Sequence, residues 1–101
     1  MTISHGFHAT ITARPGKGGE LVDFLLTSSS AANEDCVVFL VGRSATDPDV
    51  VHVTEGWTTE EAHHRFLATD EAQDLVTHLA QLIAGEPEYV DEVPVGGKAA
   101  I

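Results

Sequence analysis

Residues Val50 to Leu67 read VVHVTEGWTTEEAHHRFL, and the stretch changes character halfway along. Over Val50–Trp57, β-branched residues alternate with others, the period-two pattern of a strand. One face carries Val51, Val53, Glu55 and Trp57; the other carries Val50, His52, Thr54 and Gly56. Thr58 with Glu61 three residues later has the form of a capping box, so a helix is expected to start there. The only tryptophan, Trp57, sits at the joint. A large ring at a strand's end, facing the start of a helix, is placed to line a cavity between a sheet and its covering helices.

The flanking segments extend the same pattern. Upstream, Gly6–Ala13 alternates Phe7, Ala9, Ile11 and Ala13 with His8, Thr10 and Thr12, a second strand, broken by the glycine-rich run from Arg14 to Gly19. Glu20–Ala32 follows helical spacing, with Leu21, Leu25, Ser28 or Ser29, and Ala32 on one face. Cys36–Val41 is apolar on both sides and is expected to be buried on both faces. The turn cluster Ser44–Asp49 joins it to Val50–Trp57 as a hairpin. Downstream, Asp70 with Gln73 gives a second helix start, followed by a stripe of Ala72, Leu75, Val76, Leu79 and Ile83, with Gly85 and Pro87 as the stop. Glu88–Val93 is a last strand, and 94–101 an extended tail. The order β-α-β-β-α-β predicts an α+β, ferredoxin-like domain over 1–101: a four-stranded antiparallel sheet with helices on one face.

Composition excludes several functions. The formal charge is −11, with five Lys and Arg in 101 residues, so neither nucleic acid nor an anionic membrane surface is an expected partner. A single cysteine, Cys36, allows no intrachain disulfide and no thiolate metal cluster, and its apolar surroundings predict a buried, inert thiol. No basic-then-apolar leader is visible and no apolar run approaches ~20 residues, so a cytoplasmic protein is expected. Nucleophile elbows, phosphate loops and zinc-protease motifs are missing from the sequence.

Helices can cover only one face of such a sheet. The covered face is expected to carry Phe7, Ala9, Ile11, Val51, Val53 and Trp57. The other carries His8, Thr10, Thr12, His52 and Thr54 with one side of the apolar second strand, either Val38 and Leu40 or Val37 and Phe39. That is too much apolar surface to leave in water, so a homodimer packed sheet to sheet is expected. The first and third strands are neighbours in this topology, so His8 and His52 should approach each other and bond at the interface.

Two sets of residues resemble the antibiotic biosynthesis monooxygenase family, also called quinol monooxygenases. They are the opening strand with Ala13-Arg14-Pro15-Gly16-Lys17 and Glu20-Leu21, and Thr54-Glu55-Gly56-Trp57 with Thr59-Glu60-Glu61-Ala62 and Phe66-Leu67-Ala68-Thr69. The resemblance spans about residues 6 to 93. It implies a dimeric α/β barrel with a small hydrophobic pocket in each subunit. It also implies oxidation of a small aromatic phenol, quinol or anthrone by molecular oxygen, with no metal, flavin or haem, because the substrate anion itself reduces oxygen. Other superfamily members degrade haem or isomerise small lactones. The position of Phe66 is commonly His in the family, which removes one proton acceptor from the pocket wall. The haem-degrading branch needs a His where this chain has Val76; His78 is two residues off, roughly 200° round the helix.

The candidate catalytic residues are therefore Trp57, as a wall on which a flat substrate stacks, and Glu55, as a pocket base. Phe7, Ala9, Phe39, Val53, His63 and Phe66 are the candidate substrate-binding residues, with His63 at the mouth. Arg43 is expected to pair with surface carboxylates. No metal site is expected. A non-catalytic small-molecule-binding dimer and a small-ring isomerase are the alternatives on the same scaffold, since fold does not decide function.

Overall fold

Alternating residues form strands and capped amphipathic segments form helices along the chain. In the computed structural model, which describes residues 2–101, the elements run β1 (His5–Thr12), α1 (Gly18–Leu26), α2 (Ser29–Ala32), β2 (Cys36–Arg43), β3 (Val50–Trp57), α3 (Glu60–Leu67), α4 (Asp70–Leu82) and β4 (Glu88–Asp91). The strands make one antiparallel sheet in the order β2-β3-β1-β4. This is the ferredoxin-like α+β fold. No helix among the described residues is long and apolar enough to cross a membrane.

Register decides what is buried. Ala9 lies opposite Val53 and Ile11 opposite Val51, so these side chains share one face and pack with Leu21 and Leu25 of α1 and Leu82 of α4. Each fully buried aliphatic side chain contributes about 1.5–3 kcal/mol. A second cluster, Trp57 with Ala62, Phe66 and Ala72, ties α3 and the start of α4 to the end of β3.

Several boundaries differ from the sequence expectation. The residue before α3 is Thr59, whose hydroxyl accepts from the Ala62 N–H at 3.0 Å. Thr58 is engaged elsewhere, donating its hydroxyl to Asp35 at 2.9 Å. At α4 the cap is Thr69, accepting from the Ala72 N–H, rather than Asp70. The helix predicted over Glu20–Ala32 breaks after Leu26, because the Thr27 hydroxyl bonds back to the Asp23 and Phe24 carbonyls and Ser28 turns extended. The phase resets, so Ser30 is buried and Ala32 exposed. Helix α4 stops at Leu82, and Ile83 leaves the expected stripe to bridge Ala13.

The largest correction concerns β2. It is an edge strand, half-buried, with Leu40 40% exposed. Phe39 and Val41 pack on the core, while Val38 and Leu40 fall on the outer face beside Gly56 and Thr54. Among the described residues, only Ile3 and Pro94 lie across that face, over the Gly6–Gly56 end. His8 and His52 do meet there, their rings stacked with centroids 5.6 Å apart, each bonded across the strands to Thr54 or Thr10 at 3.2 Å.

Two close approaches lock the frame. Asp49 accepts from the Gly16 and Gly18 N–H groups at 3.0 Å each, pinning the start of α1 to the β2–β3 hairpin. A Cβ on Gly18 would overlap the Pro48 carbonyl. On the outer face, Ile3 and Pro94 sit against Gly56, and Pro94 also against Gly6. Arg43 donates to the Pro48 carbonyl at 2.7 Å instead of pairing with a carboxylate.

Candidate active site

A cavity of about 390 Å³ lies between the sheet and the helices, within the usual range for small-ligand sites. Its sheet side is made by Ala9, Ile11, Val53 and Phe39, and its helix side by Leu25, Phe66, Ala72, Leu75 and Leu79. Leu67, Val76 and Tyr89 stand in partly exposed positions around it. The polar groups are few: His5, Glu55, His63, His64, Tyr89 and Asp91, with Ser28 and Ser30 from the α1–α2 segment.

Glu55 reaches the cavity because of strand register. It lies between Phe7 on β1 and Phe39 on β2, both directly opposite it and on the same face. Two aromatic neighbours strip water from the carboxylate, and burial raises its pKa above the usual carboxylate value. The Trp57 Nε1–H donates to Oε1 at 2.8 Å and pulls the other way. Among the described residues, Oε2 has no hydrogen-bond partner. The result is one preorganised oxygen and one free oxygen in an apolar space.

His63 projects from α3 into the same cavity. Its Nδ1 lies 3.0 Å from His5 Nε2, and its ring packs against Trp57 at 4.9 Å and Phe7 at 5.6 Å. Burial, then the neighbouring His5 and His64, push its pKa down, so it stays neutral at neutral pH. Tyr89, on β4 opposite Ala9, packs edge-on to Phe7. Burial and the Glu55 charge raise its phenol, which keeps its proton as a donor. Burial, reinforced by Glu55, pushes the Cys36 thiol up to about 12, and its proton points at the Val38 carbonyl.

The cavity thus gathers Phe7, Ala9, Phe39, Val53, Glu55, His63 and Phe66 from the sequence-based candidates. Trp57 differs. It is 0% exposed, does not line the cavity, and has its indole N–H committed to Glu55. The ring stands behind the wall, because α3 and α4 close over it through Ala62, Phe66 and Ala72. A ligand cannot stack on it; it positions the carboxylate. Where the resemblance expects a His, Phe66 is apolar wall, and the imidazole of this helix face comes from His63, one turn earlier. Sequence reasoning missed His5 and Tyr89. His5 could have been found from the antiparallel register that sets it opposite Trp57; Tyr89 sits on a four-residue edge strand with no distinguishing pattern.

Fold and cavity together define a ferredoxin-like α+β domain built round a small apolar chamber with an internal carboxylate. The sequence profile described as antibiotic biosynthesis monooxygenase matches residues 5–78, most of the chain. The chain belongs to that family. A Chloroflexus aurantiacus protein named for the same family, with its activity unproven, is 30% identical, covering 94% of this chain and 96% of that one at a TM-score of 0.80. A family-named protein from Caulobacter crescentus is 23% identical, with 94% and 92% covered and a TM-score of 0.78. The protein PA3566 from Pseudomonas aeruginosa is 21% identical, with 95% and 98% covered and a TM-score of 0.77. The last two show the fold alone. No curated protein matches the chain.

Proposed function

We propose that the protein is a cofactor-independent monooxygenase acting on a small aromatic phenol, quinol or anthrone. One observation carries this reading: Glu55 holds a free carboxylate oxygen inside an apolar cavity, between Phe7 and Phe39. A base whose pKa is raised toward neutrality, in a water-poor site, is matched to an acidic aromatic substrate. For an anthrone, Glu55 takes a proton from the ring methylene. The carbanion passes one electron to oxygen, and the radical pair joins as a C–O bond to give a peroxide anion. Return of the proton gives a hydroperoxide. Loss of the second C–H proton with O–O cleavage leaves the ketone and water. The aromatic walls orient the ring and exclude bulk water.

Oxygen uptake with menadiol and anthrone tests the proposal. Uptake above the spontaneous rate is expected, falling at least 100-fold in Glu55→Gln. No uptake, with either compound still bound, would favour a non-catalytic binding protein; turnover of a small lactone without oxygen would favour an isomerase.

The same reading includes a homodimer through the outer sheet face. Its support is the row of Val90, His8, Thr54 and Leu40 that crosses all four strands, exposed at both ends and half-buried between. Sedimentation equilibrium is expected to give twice the 10.7 kDa chain mass, and Leu40→Asp to give monomer. A wild-type monomer at micromolar concentration would refute it.

A further inference from the structure

We infer that His63 is a second acid–base group of this cavity and that His5 is the residue that positions it, a role that rests on the oxygenase reading above. Three rings fix the His63 imidazole: Trp57 at 4.9 Å, His5 at 5.0 Å and Phe7 at 5.6 Å between centroids. Its Nδ1 is committed to His5 Nε2 at 3.0 Å. Among the described residues, its Nε2 has no hydrogen-bond partner, and the side chain lines the cavity. A held ring with one engaged and one free nitrogen is the arrangement that a proton-transfer group requires.

The two rings share one proton across that 3.0 Å contact, so their tautomers are complementary. If His63 Nδ1–H donates, its Nε2 is a bare lone pair facing the cavity, and His5 carries its own proton on Nδ1. A proton reaching Nε2 is then held by the pair: His63 gives up Nδ1–H to His5, which carries the charge until the transfer reverses. A charged imidazolium need not build up on His63, where burial and the flanking imidazoles oppose it. The groups that face it are His5 on β1, Glu55 on β3, His64 and Glu60 on α3, and Tyr89 and Asp91 on β4.

This divides the two C–H proton abstractions of the anthrone reaction. Glu55 takes the first C–H proton and returns it to the peroxide anion. His63 Nε2 takes the second: the C–H electron pair becomes the carbonyl π bond, the O–O bond breaks, and hydroxide leaves. The proton held by the histidine pair goes to that hydroxide, giving water. One substrate and one oxygen yield one ketone and one water.

The test begins without substrate. Long-range proton–nitrogen NMR of the ligand-free protein is expected to show a neutral His63 whose tautomer changes in His5→Leu; an unchanged His63 would overturn the positioning role. Steady-state oxygen uptake with anthrone then follows. His63→Gln is expected to lower kcat about 100-fold with KM within about threefold. His5→Gln, which keeps a hydrogen-bonding group, is expected to lose about tenfold, and His5→Leu more. If His63→Gln stays within about threefold of wild type while Glu55→Gln does not, Glu55 works alone and the inference falls. Loss confined to KM or to thermal stability would also overturn it, as a structural role. If the wild type consumes no oxygen, the oxygenase reading has failed, and the NMR result alone decides whether the pair is coupled.

Discussion

Replacing Trp57 by Phe separates the roles of wall and support. The ring is 0% exposed and its N–H donates to Glu55 at 2.8 Å. A hydrogen bond to a charged acceptor contributes about 1.5–3 kcal/mol. The smaller ring leaves about 40 Å³ unfilled, which at about 24 cal/mol per Å³ costs about 1 kcal/mol more. The expected loss is about 2.5–4 kcal/mol, a large share of the roughly 5–15 kcal/mol that holds a domain together. Thermal unfolding should fall by about 10–30 °C at the usual sensitivity of small domains. Urea unfolding of wild type, Trp57→Phe, Glu55→Met and the double variant gives the coupling directly. At pH 8 it should be about 1.5–3 kcal/mol, and it should shrink toward about 1 kcal/mol at pH 4, where the carboxyl is protonated and the bond is neutral. A coupling below about 0.5 kcal/mol at pH 8 would refute the positioning role.

Glu55 also sets a pH dependence. Its folded pKa is raised, so the folded state binds the proton more tightly than the unfolded state does. Its contribution is therefore complete below the unfolded pKa and is lost as pH rises through the folded one. Glu55→Gln should match wild type near pH 4 and exceed it in urea midpoint at pH 8; equal midpoints at pH 8 would contradict the burial argument. Gly18→Ala should destabilise by about 3 kcal/mol or more, because the methyl overlaps the Pro48 carbonyl, and thermal unfolding checks it. Asp49→Ala should cost about 2–3 kcal/mol for two lost backbone N–H bonds, with Asp49→Asn intermediate in the same assay. With its thiol pushed up to about 12, Cys36 should react with iodoacetamide at pH 8 far more slowly than in the urea-unfolded chain; equal rates would refute that environment.

The sheet and its buried face were legible because alternation is a local property. Phe7, Ala9, Ile11, Val51 and Val53 declare one side of two strands before any pairing is known. The starts of α3 and α4 were legible to within one residue, since Thr58 and Thr59 both offer a hydroxyl and only the contact with Asp35 removes Thr58 from the choice. The edge position of β2 was harder to see, because an apolar run is consistent both with a central strand and with an edge awaiting a cover. The site was legible in its apolar part and less so in its polar part. Alternation puts Glu55 and Trp57 on one face but does not say that one side chain folds back onto the other. His5 and His63 are 58 positions apart, and only the docking of α3 beside β1 brings their nitrogens together.

The paired glycines on the back of the sheet have a practical corollary. Ile3 and Pro94 rest on the same spot, each within about 3.2 Å of where a Gly56 methyl would stand, so the first and last parts of the fold are spatial neighbours. Splicing them with a short flexible linker should need no rerouting of the backbone. New ends could then be opened in the Asn33–Asp35 connection that leads into β2, yielding a permuted chain that folds to the same sheet with its chamber intact.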